Sequence, residues 1–162
     1  MPTGDQTWRS KTTAQGGAYD EWATGDGRIA LIAFPSWGGD ASGIHNVPEF
    51  QAIANVAIAA VNYGGATVAS DPATYLPLIK SIVDEHVAKW GSSVKLGFGV
   101  SGGGLTGLSL LAAYPDILHG FVDWVGVFNL YWWHNDGAAV GGDLASLQSA
   151  LGGAASGEVM IG

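Results

Sequence analysis

Two rhythms of apolar and polar positions take turns along this chain. Near the N-terminus, "QTWRSKTTA" and "AYDEWAT" are short stretches rich in Trp, Thr and Tyr, separated by Gln15-Gly16-Gly17, and they predict a β-hairpin. "RIALIAF", Arg28 to Phe34, is a continuous apolar run ended by Pro35, as expected of a strand buried on both faces. "VPEFQAIANV" then sets Phe50, Ile53 and Ala54 at helical spacing, and "VAIAAVNY" gives a second buried strand that stops at Gly64-Gly65. Asp71-Pro72 supplies an N-cap and a proline at the first helical position. Behind that cap, Tyr75, Ile79, Ile82, Val83, His86 and Trp90 recur every three or four residues, so one stripe of a long helix faces a core until Gly91 closes it. "SVKLGFGV", "GGLTGLSLLAAY" and "GFVDWVGVFNL" continue as strand, helix and strand. Strands alternating with helices predict parallel pairing and a sheet covered on both sides, an α/β three-layer sandwich with a mostly parallel sheet and an N-terminal hairpin.

Composition narrows this picture without changing it. With 162 residues, 48% hydrophobic and 12% charged, the chain reads as a single globular domain, its Gly/Ala-rich stretch 137–162 forming a lid-like segment or a tail. The 26 glycines follow no collagen period and fall at element junctions, where they serve turns and close packing. Six basic against fourteen acidic residues give a net charge of −8, and no Lys/Arg cluster could track a phosphate backbone, which argues against nucleic acid as a partner. The absence of cysteine excludes disulfides, thiolate metal sites and a Cys nucleophile, and leaves the compartment open. No apolar run is long enough to span a bilayer and no signal peptide is visible, so the chain is expected to be soluble.

The candidate chemistry sits in "VKLGFGVSGGGLTGLSLLAAYP". Gly99-Val100-Ser101-Gly102-Gly103 matches G-x-S-x-G where a predicted strand meets a predicted helix, which is the context that motif requires. A strand that reverses into a helix through so few residues forces its central residue into a strained conformation and lifts the Ser101 hydroxyl over the C-terminal edge of the sheet. The helix then begins with unpaired N–H groups and a positive dipole end, so the N–H of Gly102 is placed to stabilise an oxyanion. The competing reading is a glycine-rich turn that packs or binds phosphate. It lacks the Lys of G-x-x-x-x-G-K-[ST] and the G-x-G-x-x-G spacing.

On these residues the sequence resembles the α/β-hydrolase superfamily, in particular its prolyl-oligopeptidase-like and esterase branches, from about Arg28 to Leu130. "LIAFPSWGGDASG" looks like the third strand and oxyanion loop, "VAIAAVNYGG" like the next strand and its turn, "VKLGFGVSGGG" like the nucleophile strand, and "YPDILHGFVDWVGVFNL" like the passage into strand six. The resemblance implies a serine nucleophile at Ser101, with oxyanion donors from Trp37 or Gly38, where the superfamily has His-Gly, and from Gly102. It also implies a catalytic acid and histidine after later strands, whereas this chain ends at Gly162, which reads as a fold truncated after strand six.

A serine hydroxyl needs a neighbouring base. His134, with Asp136 as its orienting carboxylate, is the first candidate within the chain, because the loop after strand six would overhang Ser101; His45 is the second. His86 on the buried helical stripe and His119 before strand six read as structural. Tyr131, Trp132 and Trp133 form an apolar wall for an acyl or aromatic substrate, or else a core or an association surface. Asp123, inside strand six, is expected to meet a donor in the core, and Asp40, Asp71 and Asp143 stand in turn or capping contexts without metal-ligand spacing. Two functions follow. One is a serine hydrolase cleaving a carboxylic ester or peptide bond through an acyl-enzyme on Ser101, with no metal or organic cofactor. The other is a non-catalytic structural or adhesive module of a larger assembly, in which a second chain or a homo-oligomer covers the incomplete sheet.

Overall fold

The computed structural model describes residue 4 and residues 6–124. Its hairpin is β1 (Arg9–Thr12) and β2 (Ala18–Ala23), paired antiparallel with Thr12 opposite Ala18. The Thr13 hydroxyl closes the turn by accepting the Gly17 N–H at 2.8 Å. β3 (Ile29–Phe34) and β4 (Val56–Val61) are the two apolar runs, and every residue of β4 is buried, as expected of a strand covered on both faces.

Between β3 and β4 the sequence pattern predicts one helix, and the structure has two short ones, α1 (Ser42–His45) and α2 (Pro48–Gln51). Pro48 starts α2 as anticipated, but the helix stops at Gln51 and Asn55 turns the chain into β4 at φ 59°, leaving Ile53 exposed. A short helix that no periodicity signalled, α3 (Gly65–Ser70), precedes the long one, α4 (Pro72–Trp90). The Asp71 carboxylate accepts the Thr74 N–H at 3.2 Å and caps α4 at its start, while Gly91 at φ 64° ends it. β5 (Val94–Val100), α5 (Gly102–Ala113) and β6 (Gly120–Trp124) complete the described chain.

The strand order is β1-β2-β4-β3-β5-β6, parallel from β4 to β6 and antiparallel in the hairpin and its junction with β4. The register sets Leu31 beside Ile58 on one face and Ile32 beside Ala59 on the other. Ile32 and Phe34 pack with Val68 of α3, Ile79, Ile82 and Val83 of α4 and Leu110 of α5. Leu31, Ala33, Ile58 and Trp22 pack with Ala41 and Ile44 at α1, and Phe50 of α2 adds to them. Helices thus cover both faces, giving the three layers.

One consequence of this winding positions the site. The chain leaves β3 toward the α1/α2 face and leaves β5 toward the α5 face, although β3 and β5 are neighbours. Connections that part to opposite faces open a crevice at the C-terminal ends of the two strands, the place where open α/β sheets hold ligands.

Candidate active site

Ser101 is the single residue between β5 and α5. Its backbone lies at φ 52°, ψ −116°, a conformation that costs a non-glycine residue about 1–3 kcal/mol and persists only where the surroundings impose it. They do so here: the Ser101 N–H donates to the Trp124 carbonyl at 3.1 Å, and its own carbonyl accepts the Gly104 N–H at 2.9 Å. A Cβ on Gly99 would lie 2.7 Å from the backbone of Gly103 and Gly104, and one on Gly103 would lie 2.1 Å from the Phe34 carbonyl oxygen. The glycines at both ends of the motif therefore let strand, turn and helix touch through their backbones. The Ser101 side chain makes no capping bond to α5, and the residue is half-buried rather than sealed.

Across the crevice stands the loop after β3. A Cβ on Gly102 would meet the Trp37 N at 2.9 Å, so the two backbone segments proposed to supply oxyanion donors are in contact. Gly38 follows at φ 70° and is exposed. The loop is anchored at its far end, where the Ala41 N–H donates to Asn62 Oδ1 at 3.1 Å and Asp40 Oδ1 accepts the Ser42 N–H at 2.9 Å. The hydroxyl and N–H of Ser42 hold the Asp40 carboxyl below the usual carboxylate range. Pro35, Ser36, Gly39, Ile44 and Val100 enclose a cavity of about 80 Å³ beside the turn. A wider groove of about 570 Å³, with Lys80, Val87, Lys95 and Tyr114 in its wall, opens at the other end of the sheet, remote from Ser101.

His134, Asp136, Tyr131, Trp132, Trp133 and Asp143 lie outside the described residues. Of the remaining histidines, His45 does not face the serine. Its Nε2 is 2.9 Å from Asp20 Oδ2 and its ring stacks on Trp8 at 4.1 Å. The nitrogen approaches this carboxylate without forming a hydrogen bond to it. Asp20 stands on β2, three strands from β5, about 14 Å at ordinary strand spacing. Asp20 and Trp8 gave no sequence signal, since their relation to His45 arises only when β2 joins β4.

His86 is fully buried, with Nδ1 3.3 Å from Glu21 Oε2 and Tyr19 edge-on to its ring. His119 Nδ1 accepts the Lys95 N–H at 3.3 Å at the N-terminal end of β5, away from Ser101. Asp71 and Asp40 take the capping and turn positions expected of them. Asp123 departs from expectation: neither carboxylate oxygen meets a donor among the described residues, although both are buried. Among the described residues no group of His, Cys, Asp and Glu could hold a metal ion, and no helix is long and apolar enough to cross a membrane.

No protein-family model and no curated protein matches the sequence. Solved structures do match its fold. A proline iminopeptidase-related protein from Thermus thermophilus superposes with a TM-score of 0.60 at 12% identity, over 95% of this chain and 58% of its own. An esterase from Rhodococcus sp. ECU1013 gives 0.56 at 16%, over 90% and 59%. An alpha/beta hydrolase fold protein from Nakamurella multipartita gives 0.50 at 20%, over 77% and 43%. The chain spans about half the length of these structures. At such identities the likeness is one of fold.

Proposed function

From the α/β-hydrolase fold that the chain has, we propose that it is a serine hydrolase cleaving a carboxylic ester or peptide bond, with Ser101 as nucleophile on a strand-to-helix elbow. The observation that carries this reading is the conformation of Ser101, strained at φ 52° and open to solvent in the crevice beside the start of α5. A residue serving only to join a strand to a helix has no need of such strain.

In the proposed reaction the Ser101 Oγ attacks the substrate carbonyl carbon and gives its proton to an imidazole, for which His134 is the candidate in this chain and Asp136 the candidate orienting group. The carbonyl oxygen becomes an oxyanion, received by the N–H of Gly102 and an N–H from Trp37 or Gly38. Collapse expels the alcohol or amine, which takes the proton from the imidazole and leaves an acyl ester on Ser101. Water, deprotonated by the same base, then releases the acid and restores the serine. Tyr131, Trp132 and Trp133 are proposed to line the acyl side. The cavity between Ser36 and Val100, at about 80 Å³, has room only for a small group.

A fluorophosphonate probe is expected to label wild-type protein at Ser101, and Ser101→Ala to abolish labelling and lower hydrolysis of a short-chain aryl ester by about 10³-fold or more. Folded protein that stays unlabelled overturns the reading. One observation favours the non-catalytic alternative: Val122 and Trp124 of β6 are each 61% exposed, an apolar surface suited to association.

A further inference from the structure

We propose that Asp123 is a positioning residue for Ser101, whose carboxyl, packed under the first turn of α5, supports the turn when protonated and opposes oxyanion formation when ionised. This rests on the assignment of Ser101 as nucleophile. Asp123 pairs with Gly99 in the β5–β6 ladder, and the next residue, Trp124, supplies the carbonyl that receives the Ser101 N–H. The side chain projects beneath α5: a Cβ on Gly104 would lie 2.2 Å from Oδ1 and 2.5 Å from Cγ and Oδ2. Glycine at 104 is what admits the carboxyl. Sequence patterning marks Asp123 only as a polar intruder in an apolar strand; its contact with Gly104 is created by the helix folding back over β6.

No basic side chain among the described residues pairs with the Asp123 carboxyl. α5 has no titratable side chain, and neither has α3 beside it. On β5 the titratable group is Lys95, whose Nζ donates to the Asp116 carbonyl at the opposite end of the strand. Tyr114, Asp116 and His119 also stand at that opposite end, in the connection from α5 to β6. Both Asp123 oxygens are buried without a partner among the described residues, and loss of solvent pushes its carboxyl above the ordinary carboxylate range. Loss of solvent thus disfavours the charged form of Asp123 relative to the neutral acid. An ionised carboxylate there would draw on the positive end of α5, whose N–H at Gly102 is proposed to receive the oxyanion, and would repel that oxyanion directly.

The sign follows from the raised value. Between the unfolded carboxyl, near 3.8, and its higher folded counterpart the native state holds the extra proton, so the stabilising share of Asp123 is present in full below 3.8 and is lost as pH rises through the folded pKa. The test is fluorophosphonate labelling of the full chain from about pH 4 to about pH 9, wild type against Asp123→Asn, with the amide resonances of Ser101 to Gly104 followed in wild type over the same range. The ratio of wild-type to Asp123→Asn labelling is expected to fall on the order of tenfold as pH rises, with the amides shifting at the same midpoint. A ratio that stays flat, or amides that do not titrate, overturns the proposal. If labelling fails at every pH, the nucleophile assignment falls, and the wild-type amides alone decide whether Asp123 controls the turn, without need of a variant that folds.

Discussion

Gly103 carries more of this turn than its size suggests. The position of its missing Cβ, 2.1 Å from the Phe34 carbonyl oxygen and 2.6 Å from that of Pro35, is bounded by backbone, which cannot rotate away as a side chain would. Gly103→Ala is therefore expected to drive α5 away from β3, at a cost of about 1–3 kcal/mol in unfolding free energy, and to remove fluorophosphonate labelling of Ser101. Gly43→Ala is the control, since nothing lies within 4 Å of its Cβ position and its φ is ordinary; stability is expected to change by less than about 0.5 kcal/mol. Thermal melts of the two variants decide the matter, and equal losses would mean that the contact is not what constrains the turn. The pair also marks where sequence reading stops. Gly99 and Gly103 stand out in the sequence because a motif fixes their spacing from Ser101, but nothing in it names Phe34, 69 residues upstream, as the backbone that Gly103 must clear. Asp20 is the same case: its approach to His45 depends on β2 pairing with β4 and on α1 lying over that junction.

Among elements, the hairpin and α4 are joined by a polar knot that periodicity could only half reveal. His86 and Trp90 belong to the apolar stripe and were expected inside, whereas Glu21 sits in a strand where alternation gives no warning of a buried carboxylate. Glu21 accepts from Lys89 through Oε1 and from Trp90 Nε1 through Oε2 at 3.1 Å, with His86 Nδ1 at 3.3 Å. Burial alone would raise its pKa, but the close approach of His86 and the hydrogen bonds from Lys89 and Trp90 outweigh burial and bring it from 4.5 down to about 2. A lowered carboxyl stabilises the fold above the unfolded value and loses that contribution as pH falls from about 4.5 toward 2. With the Lys89 side chain 41% exposed and its pairing screened, the contribution is on the order of 2 kcal/mol. Glu21→Gln is expected to lower the melting temperature by roughly 4–8 °C at neutral pH. The gap should close near pH 2–3, and a gap independent of pH would show that packing, not ionisation, is what Glu21 supplies. Strands and the long helix were legible because burial on two faces and a 3.6-residue stripe each leave a local imprint. The split into α1 and α2 and the extra α3 were not, since four to six residues are too few to show a period.

At the scale of the molecule, the helices among the described residues do not cover the two faces of the sheet equally. α1 and α2 shield Leu31, Ala33 and Ile58, but their cover does not reach the far side of the same face, where Val94 and Leu96 of β5 are each 37% exposed and Val122 and Trp124 of β6 each 61%. The register places Leu96 beside Gly120, Phe98 beside Val122 and Val100 beside Trp124, so these side chains form one apolar strip along the outermost strand among the described residues. The strip carries no charge, while the chain as a whole carries −8, so two copies meeting along it would gain burial locally and suffer repulsion globally. That balance gives the association a salt dependence: sedimentation at tens of micromolar is expected to show self-association that strengthens as added salt screens the charge. Replacing Val122 and Leu96 each by Thr, which keeps β-compatible residues on the strands, is expected to return the protein to monomer without disturbing Ser101 labelling. A chain that sediments as a monomer at every salt concentration excludes a second copy as the cover for this strip and leaves the structural-module reading without its principal support.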